Sequence, residues 1–463
     1  MSLKISILGL GRSGLAVAKA ALAAGDQPTV YDAKPADDPK LAHFLAELTE
    51  LGVPFVGGFT GEFPNYRFDQ LVTSPGVDMR SPTLKDASRN HIEVIGEIEF
   101  AYRVSQAPII AITGTNGKST TTVMTWQALR ACGLDAVLCG NIYGSGYDEI
   151  PLTEAAANSE PNQVLVAEIS SFQLEWVADF RPRCAGITNI TSDHLERYDS
   201  FEQYASTKRR IFDRMGEGDT IVANAGDTHT FPRNESLRDR GFGLPSVRFY
   251  GAAGVDASFD SHHLKLAVNE PTSSLPFTEK HNLLNACHAS LLALGFLDSI
   301  DHLSPGARIE HILRGLHGFQ GLAHRMEKVG KRGGIEVINN SMCTNPAAVI
   351  VSSGSIPAHQ HLLIGGVKKN YDFHAVRDYL HKAGHMAYLF GKDAEEIHRE
   401  LDGFGVVFST MKEAFLAATD KAVEGDVIML APGCASKDQF VDFVDRGESF
   451  KKMAREWLDD KKP

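Results

Sequence analysis

Several short stretches of this chain are apolar at most of their positions, and each stops at a glycine turn or a polar residue before a segment of helical character begins. Lys4 to Leu8, Thr29 to Tyr31, Ile109 to Ile112, Gln163 to Glu168, Ala185 to Thr191 and Asp219 to Asn224 read this way. So do Ile335 to Ile338, His361 to Ile364, Met386 to Phe390 and Val427 to Leu430. Strands that are apolar on both faces belong to parallel sheets covered by helices, so the chain reads as α/β from end to end. Lys437 to Leu458 has the spacing of a long amphipathic closing helix.

At 463 residues the chain is too long for one core. A prior of ~100–200 residues per domain suggests three units. Their expected bounds are 1–96, a Rossmann-like unit; 97–321, a central P-loop mononucleotide-binding parallel sheet; and 322–463, a second Rossmann-like unit. Hydrophobic and charged contents of 43% and 22% are those of an ordinary globular protein, with only Asp459 to Pro463 reading as disordered. A net charge of −12 argues against a general nucleic-acid or anionic-membrane surface, so a phosphate ligand has to be held by local charge and helix dipoles. The six cysteines lack C-x-x-C spacing, which fits a reducing compartment and small buried side chains. MSLKISILGLG runs straight into a glycine turn and reads as a first strand rather than a signal peptide. No stretch approaches the ~18 apolar residues of a membrane span, and a cytoplasmic protein without membrane insertion is expected.

The chemistry concentrates in APIIAITGTNGKSTTT, residues 107 to 122. A buried strand ends at Gly114, turns through Thr115, Asn116 and Gly117, and restarts as a helix at Lys118, so free backbone amides are expected to face a phosphate. Lys118 supplies a point charge for the β/γ-phosphates and the Ser119 hydroxyl a ligand for Mg²⁺. The loop is shorter than G-x-x-x-x-G-K-[ST], since Ile112 occupies the position of the first glycine. Glu168 closes VLVAE, where a nucleotide-binding sheet presents a carboxylate to Mg²⁺; the competing reading is a cap for the next helix. Asp193 and His194 follow another strand, near Lys208. In the first unit GLGRSG matches G-x-G-x-x-G and Asp32 follows about 20 residues later, a dinucleotide-type beginning. A redox cofactor there leaves the phosphate loop unexplained, so a diphosphate-linked nucleotide within a substrate is the better reading.

GTNGKST, VAEISSFQLE, NITSDHLERYDSFEQYASTKRRIF, KHNLLNA, GLAHRMEKV, SMCTNP and APGCASKDQFVDFVDRGESF occur in that order. Together they resemble the Mur ligases over all three units, nearest the branch that adds D-glutamate to UDP-N-acetylmuramoyl-L-alanine. The resemblance implies that Leu10, Gly11, Arg12 and Ser13, with Asp32 and Gly76, hold the uridine diphosphate end, and that Asn141 contacts the muramoyl part. It implies ATP on Gly114, Thr115, Asn116, Gly117, Lys118, Ser119 and Thr120, with Asn282 and Asn285 on the adenine side, Arg325 reaching the phosphates from the third unit and Asn340 at the family's ribose position. Two magnesium sites are implied, with Ser119, Glu168, His194 and Lys208 as ligands, Lys208 being carbamylated. Thr344, Lys369, Ser436 and Phe443 fall where the amino acid is gripped, and closure of the third unit onto the central one is expected. The implied partners are small molecules and the implied state is a monomer.

One segment departs from the family. Asn340-Ser341-Met342-Cys343-Thr344-Asn345 stands where D-S-K-A-T-N is usual, removing an acid and a lysine, while Lys368, Lys369 and Lys437 offer a relocated positive charge. A shift to another amino acid, such as L-glutamate, or to another acceptor carboxylate is the alternative this segment raises. A nucleotide-sugar-binding scaffold is a further reading, disfavoured by the intact Lys118, Ser119, Glu168, His194 and Lys208.

Overall fold

The protein was described as a computed structural model covering residues 2–63, 66–194, 196–231, 243–369 and 371–459. It divides into two compact units, one of residues 1–143 and 148–319 and one of residues 144–147 and 320–463.

The first unit contains two parallel sheets. Strands β1 (Lys4–Leu8), β2 (Gln27–Tyr31), β3 (Phe55–Val56), β4 (Gln70–Thr73) and β5 (Glu93–Gly96) lie in the order β3-β2-β1-β4-β5. Strands β6 (Ile109–Thr113), β7 (Asp135–Gly140), β8 (Gln163–Glu168), β9 (Cys184–Ile187), β10 (Thr220–Asn224) and β11 (Ser246–Tyr250) lie in the order β11-β10-β9-β6-β8-β7. In the second sheet the chain leaves β6 toward one edge and later returns to its other side at β9. That reversal opens a crevice at the carboxyl end of β6, where ligands of open α/β sheets bind. Every residue of β6 is buried, and β8 is buried from Val164 to Glu168, which accounts for their unbroken apolar character. A small antiparallel sheet, β12 (Ser258–Phe259), β13 (His263–Lys265) and β14 (Asn269–Pro271), completes the described strands of this unit.

The second unit has one sheet of β15 (Glu327–Arg332), β16 (Ile335–Asn339), β17 (Gln360–Gly365), β18 (Met386–Phe390), β19 (Val406–Phe408) and β20 (Val427–Leu430), in the order β15-β16-β20-β17-β18-β19. Only the β15–β16 pairing is antiparallel.

Two expected elements differ. The strand expected over Ala185 to Thr191 ends at Ile187, because Thr188 and Asn189 turn away to bond the Gly114 loop. The closing helix runs over Phe443–Asp459 and does not begin at Lys437. Asp442 sets its start by accepting from the amides of Val444 and Asp445 at 2.9 and 3.0 Å. Asp459, expected in a disordered tail, is helical, while residues 460–463 lie outside the described residues. All six cysteines are buried and free. Among the described residues no helix is long and apolar enough to cross a membrane.

Candidate active site

The loop after β6 is built by its neighbours. Gly117 precedes the helix Lys118–Ala131 with φ of 84°, and a Cβ there would sit 2.5 Å from Asn285 Oδ1, so glycine is required twice over. A side chain at Gly114 would overlap the Thr188 hydroxyl. The expectation of free loop amides holds only in part. Thr115 N–H donates to the Asn189 carbonyl at 2.8 Å and Asn116 N–H to Asn189 Oδ1 at 3.0 Å. Asn189 Nδ2 and Thr188 Oγ1 return bonds to the Asn116 carbonyl at 2.9 and 2.6 Å. These bonds fix the loop, and an anion at this site would meet the first turn of the helix, where the dipole is strongest. Asn189, inside the NITSDH segment, is thus the residue that holds the loop, a role no local pattern signals.

Glu168 ends β8, and Ile112 beside it in the register ends the apolar run of β6. Its side chain is 3% exposed. Oε1 accepts from Asn141 Nδ2 at 3.3 Å, while Oε2 is buried with no hydrogen-bond partner among the described residues. A capping role is therefore not what the geometry presents. An unsatisfied buried carboxylate oxygen is costly unless something positive meets it, and a hard cation fits it. Asn141, expected at the muramoyl substrate, is placed on Glu168 by this bond and by its own amide donating to the Glu168 carbonyl at 2.8 Å.

Lys208, on the helix Phe201–Arg209, is 2% exposed. Its Nζ donates to the Gly114 carbonyl at 2.8 Å and lies 4.8 Å from the centre of the Tyr204 ring. Burial, then the Lys118 charge, holds its ammonium well below the usual lysine range, against weaker opposing pulls from Asp193 and Glu168. Arg209, which ends this helix, and Arg210, which follows it, are only half-buried, whereas Lys208 points in. Tyr204 bonds the Thr115 hydroxyl at 3.1 Å, tying this helix to the loop. His194 adopts φ of 55°, with Nδ1 at 3.1 Å from Glu196 Oε1 and Nε2 at 3.7 Å from Asp193 Oδ2. Lys118 Nζ donates to the Thr115 carbonyl at 3.0 Å. Asn285 meets the loop itself and accepts from Thr121 Oγ1 at 3.3 Å, whereas Asn282 bonds Glu279 at 3.2 Å.

A cavity of about 700 Å³ joins the carboxyl ends of β1, β2 and β4 to the Gly140–Asn141 turn; it is lined by Leu10 to Ser13, Asp32, Gly76, Asn141 and others. Asp32 is no isolated acid. Its two oxygens accept from the amides of Leu10 and Lys34 at 2.6 and 2.8 Å and so shape the glycine turn. Arg12 is paired with Glu149 at 2.9 Å.

In the second unit, the segments after β16, β17 and β20 meet around Arg446. This arginine is fully buried and donates to Ser341 Oγ and the Cys434 carbonyl at 3.0 Å each and to the Ser341 carbonyl at 2.8 Å. Burial draws its guanidinium down to about 10. Ser341 Oγ donates to the Phe443 carbonyl at 2.7 Å, and Ser436 is buried beside this loop. Asn340 Oδ1 accepts from the Met326 amide at 3.2 Å. Met342 Sδ accepts from Arg325 Nη2 at 2.9 Å, a place where a lysine would set like charges against each other. Lys368 is held by Glu396 at 2.6 Å and by Glu400, so of the three lysines offered as a relocated charge it is already neutralised. Thr344 and Lys369 are half-buried on neighbouring loops, and Lys437 is exposed.

A loop at the carboxyl end of β6 beside a buried carboxylate is the arrangement of a phosphate-binding α/β fold, and comparison with known proteins gives the class as a ligase. Residues 112–293 match the Mur ligase middle domain, residues 3–96 the Mur ligase MurD-like N-terminal domain, and residues 324–434 the Mur ligase glutamate ligase domain. The chain belongs to the Mur ligase family. A UDP-N-acetylmuramoylalanine–D-glutamate ligase of Caldanaerobacter subterraneus is 36% identical over 459 residues, covering 97% of both chains. One of Aliivibrio fischeri is 34% identical, covering 98% of this chain and 97% of its own. Among solved structures, a UDP-N-acetylmuramate–alanine ligase of Thermotoga maritima superposes with a TM-score of 0.59 at 17% identity, over 98% of this chain and 100% of its own. Its place within the family is therefore the MurD branch.

Proposed function

We propose that this chain is an ATP-dependent amide ligase that joins D-glutamate to UDP-N-acetylmuramoyl-L-alanine in peptidoglycan precursor synthesis. The observation that carries the reading is Oε2 of Glu168, buried and without a hydrogen-bond partner among the described residues, at the carboxyl end of the sheet that also bears the Gly114–Ser119 loop. Full-length relatives named as D-glutamate ligases set the substrate class. Residues 1–96 bind the nucleotide sugar, residues 97–321 bind ATP, and residues 322–463 bind the amino acid. The cavity around Leu10 to Ser13, Asp32 and Gly76 is of a size that takes a nucleotide sugar's diphosphate end.

The acceptor carboxylate attacks the γ-phosphorus of ATP, the bond to ADP breaks, and an acyl phosphate forms. Lys118 and the first turn of its helix stabilise the charge spread over the transferred group. The amine of D-glutamate then adds to the acyl carbon and loses a proton, and the C–O bond to phosphate breaks. Lys369, Ser436, Thr344 and Phe443 orient the amino acid, with Arg446 holding their loops in place.

Ser119, Glu168, His194 and a carbamate on Lys208 are the residues that would hold two Mg²⁺ ions, which when bound neutralise phosphate charge. The carbamate follows from chemistry, because burial favours the uncharged amine, which adds to CO₂ and sheds a proton to give an anionic oxygen ligand. The protein is taken as a cytoplasmic monomer. Phosphate release from ATP with UDP-N-acetylmuramoyl-L-alanine, scanned across D-glutamate, L-glutamate and other amino acids, tests the reading. Release with D-glutamate alone is expected, and release only with another amino acid overturns the substrate assignment.

A further inference from the structure

The active-site loops of the second unit follow the carboxyl ends of β16, β17 and β20. About one strand length away, ~20 Å, the amino ends of β17 and β20 carry a separate cluster of ligating side chains. Gln360 pairs with Val427 in the parallel register, so His359 and Asp426, each one residue earlier, lie side by side; the Val427 amide donates to the His359 carbonyl at 3.0 Å. The strand period of two puts His361 on the same face as His359.

The two imidazoles converge on one carboxylate. His361 Nε2 is 3.1 Å from Asp426 Oδ2, and His359 Nδ1 is 3.3 Å from Asp426 Oδ1. All three ligand groups lie within 4.8 Å of one another. Two donors on one tetrahedral ion with bonds of ~2.0–2.2 Å are about 3.3 Å apart, which the two His–Asp distances match. His361 is oriented from behind, its Nδ1 meeting the Tyr388 hydroxyl at 2.9 Å, as metal-bound histidines are fixed by a bond at the other nitrogen. His359 is 42% exposed and provides the route in from solvent. His385 packs near His359, but its nitrogens are engaged by the Gln360 amide and the Tyr379 hydroxyl at 3.2 and 3.4 Å, so the ligand set is His359, His361 and Asp426.

We infer that these three residues form a binding site for one divalent transition-metal ion of the zinc class, at the amino ends of the central strands β17 and β20, opposite the amino-acid loops. Two imidazole nitrogens and one carboxylate suit Zn²⁺ or Co²⁺ and not Mg²⁺, which demands oxygen donors. The ion would join the starts of β17 and β20 and stabilise the unit by mass action.

The test is titration of the chelator-treated full-length protein with Co²⁺, read by visible absorption, with Mg²⁺ saturating, and competition by Zn²⁺. One Co²⁺ with a tetrahedral spectrum is expected, displaced by Zn²⁺. Affinity should fall by about 10–100-fold or more in His359→Gln and in Asp426→Asn and stay unchanged in Glu168→Gln. His359→Gln, on an exposed residue, should keep wild-type ligase turnover, which reports that it is folded. Absence of bound Co²⁺, or a Co²⁺ signal lost in Glu168→Gln and kept in His359→Gln, overturns the site and leaves only a hydrogen-bonded cluster.

Discussion

Lys208 Nζ donates to the Gly114 carbonyl at 2.8 Å, which brings a buried amine of one helix onto the first residue of the phosphate loop. Burial and Lys118 favour the amine's uncharged form, which is the nucleophile for CO₂. Lys208→Ala is expected to lose turnover, with partial recovery on adding bicarbonate or short-chain carboxylic acids. A variant that stays inactive at every concentration of these additives would count against the carbamate.

Lys118→Ala should lower kcat by about 10²–10³-fold or more, because a preorganised charge on the transferred phosphoryl group is removed. Single-turnover phosphate release measures this, and near-normal turnover would sink the assigned role.

Asn141 acts on Glu168 through one hydrogen bond. Asn141→Ala is expected to raise the Mg²⁺ concentration for half-maximal activity by about 10–100-fold, as loss of a bond behind a ligand does. Glu168→Gln should lose activity that no Mg²⁺ concentration restores. An Asn141→Ala enzyme with an unshifted Mg²⁺ curve and a raised KM for the nucleotide sugar would place Asn141 at the substrate instead.

The lysines near the altered segment separate by their partners. Lys368 is neutralised by Glu396 and Glu400, whereas no ion pair to Lys369 is found among the described residues. Lys369→Ala should raise the KM for D-glutamate by roughly 10–100-fold, the scale of a lost charge-assisted hydrogen bond. Lys368→Met should leave it within about threefold. The reverse pattern would move the amino-acid grip to Lys368.

His288 gives a pH prediction. It is fully buried against Tyr250 with both ring nitrogens unpartnered among the described residues, and burial pushes it down to about 3. An unfolded histidine titrates near ~6.5, so between that pH and the native value the unfolded chain binds the extra proton. Stability from this group is therefore full above about 6.5 and falls on acidification, by up to ~1.4 kcal/mol per pH unit. Urea unfolding at pH 7 and pH 5 should show a smaller acid loss in His288→Gln than in wild type, and equal losses would refute the attribution.

Much of the site was readable because its groups are local in sequence. The turn Gly114 to Ser119 needs glycine where φ is positive or a neighbour is close, and a strand buried on both faces must be apolar, so both leave marks in consecutive residues. Asn189, Tyr204 and Arg446 left no such mark. Asn189 occupies the loop amides from 73 residues away, and Arg446 reaches Ser341 across 105 residues, contacts that no local pattern encodes. For the same reason the end of β9 was misplaced: the pull of Thr188 and Asn189 toward Asn116 is a tertiary bond that overrides strand propensity.

By itself the sequence determined the α/β class, the phosphate loop and the order of chemical groups along the chain, because periodicity and turn chemistry are short-range properties. Tertiary structure alone decided which oxygen of Glu168 lacks a partner among the described residues, that Lys208 is buried while Arg209 and Arg210 are not, and that His359, His361 and Asp426 meet at the amino ends of two central strands. Those facts depend on strand register and on the exclusion of water, which arise only when distant segments pack.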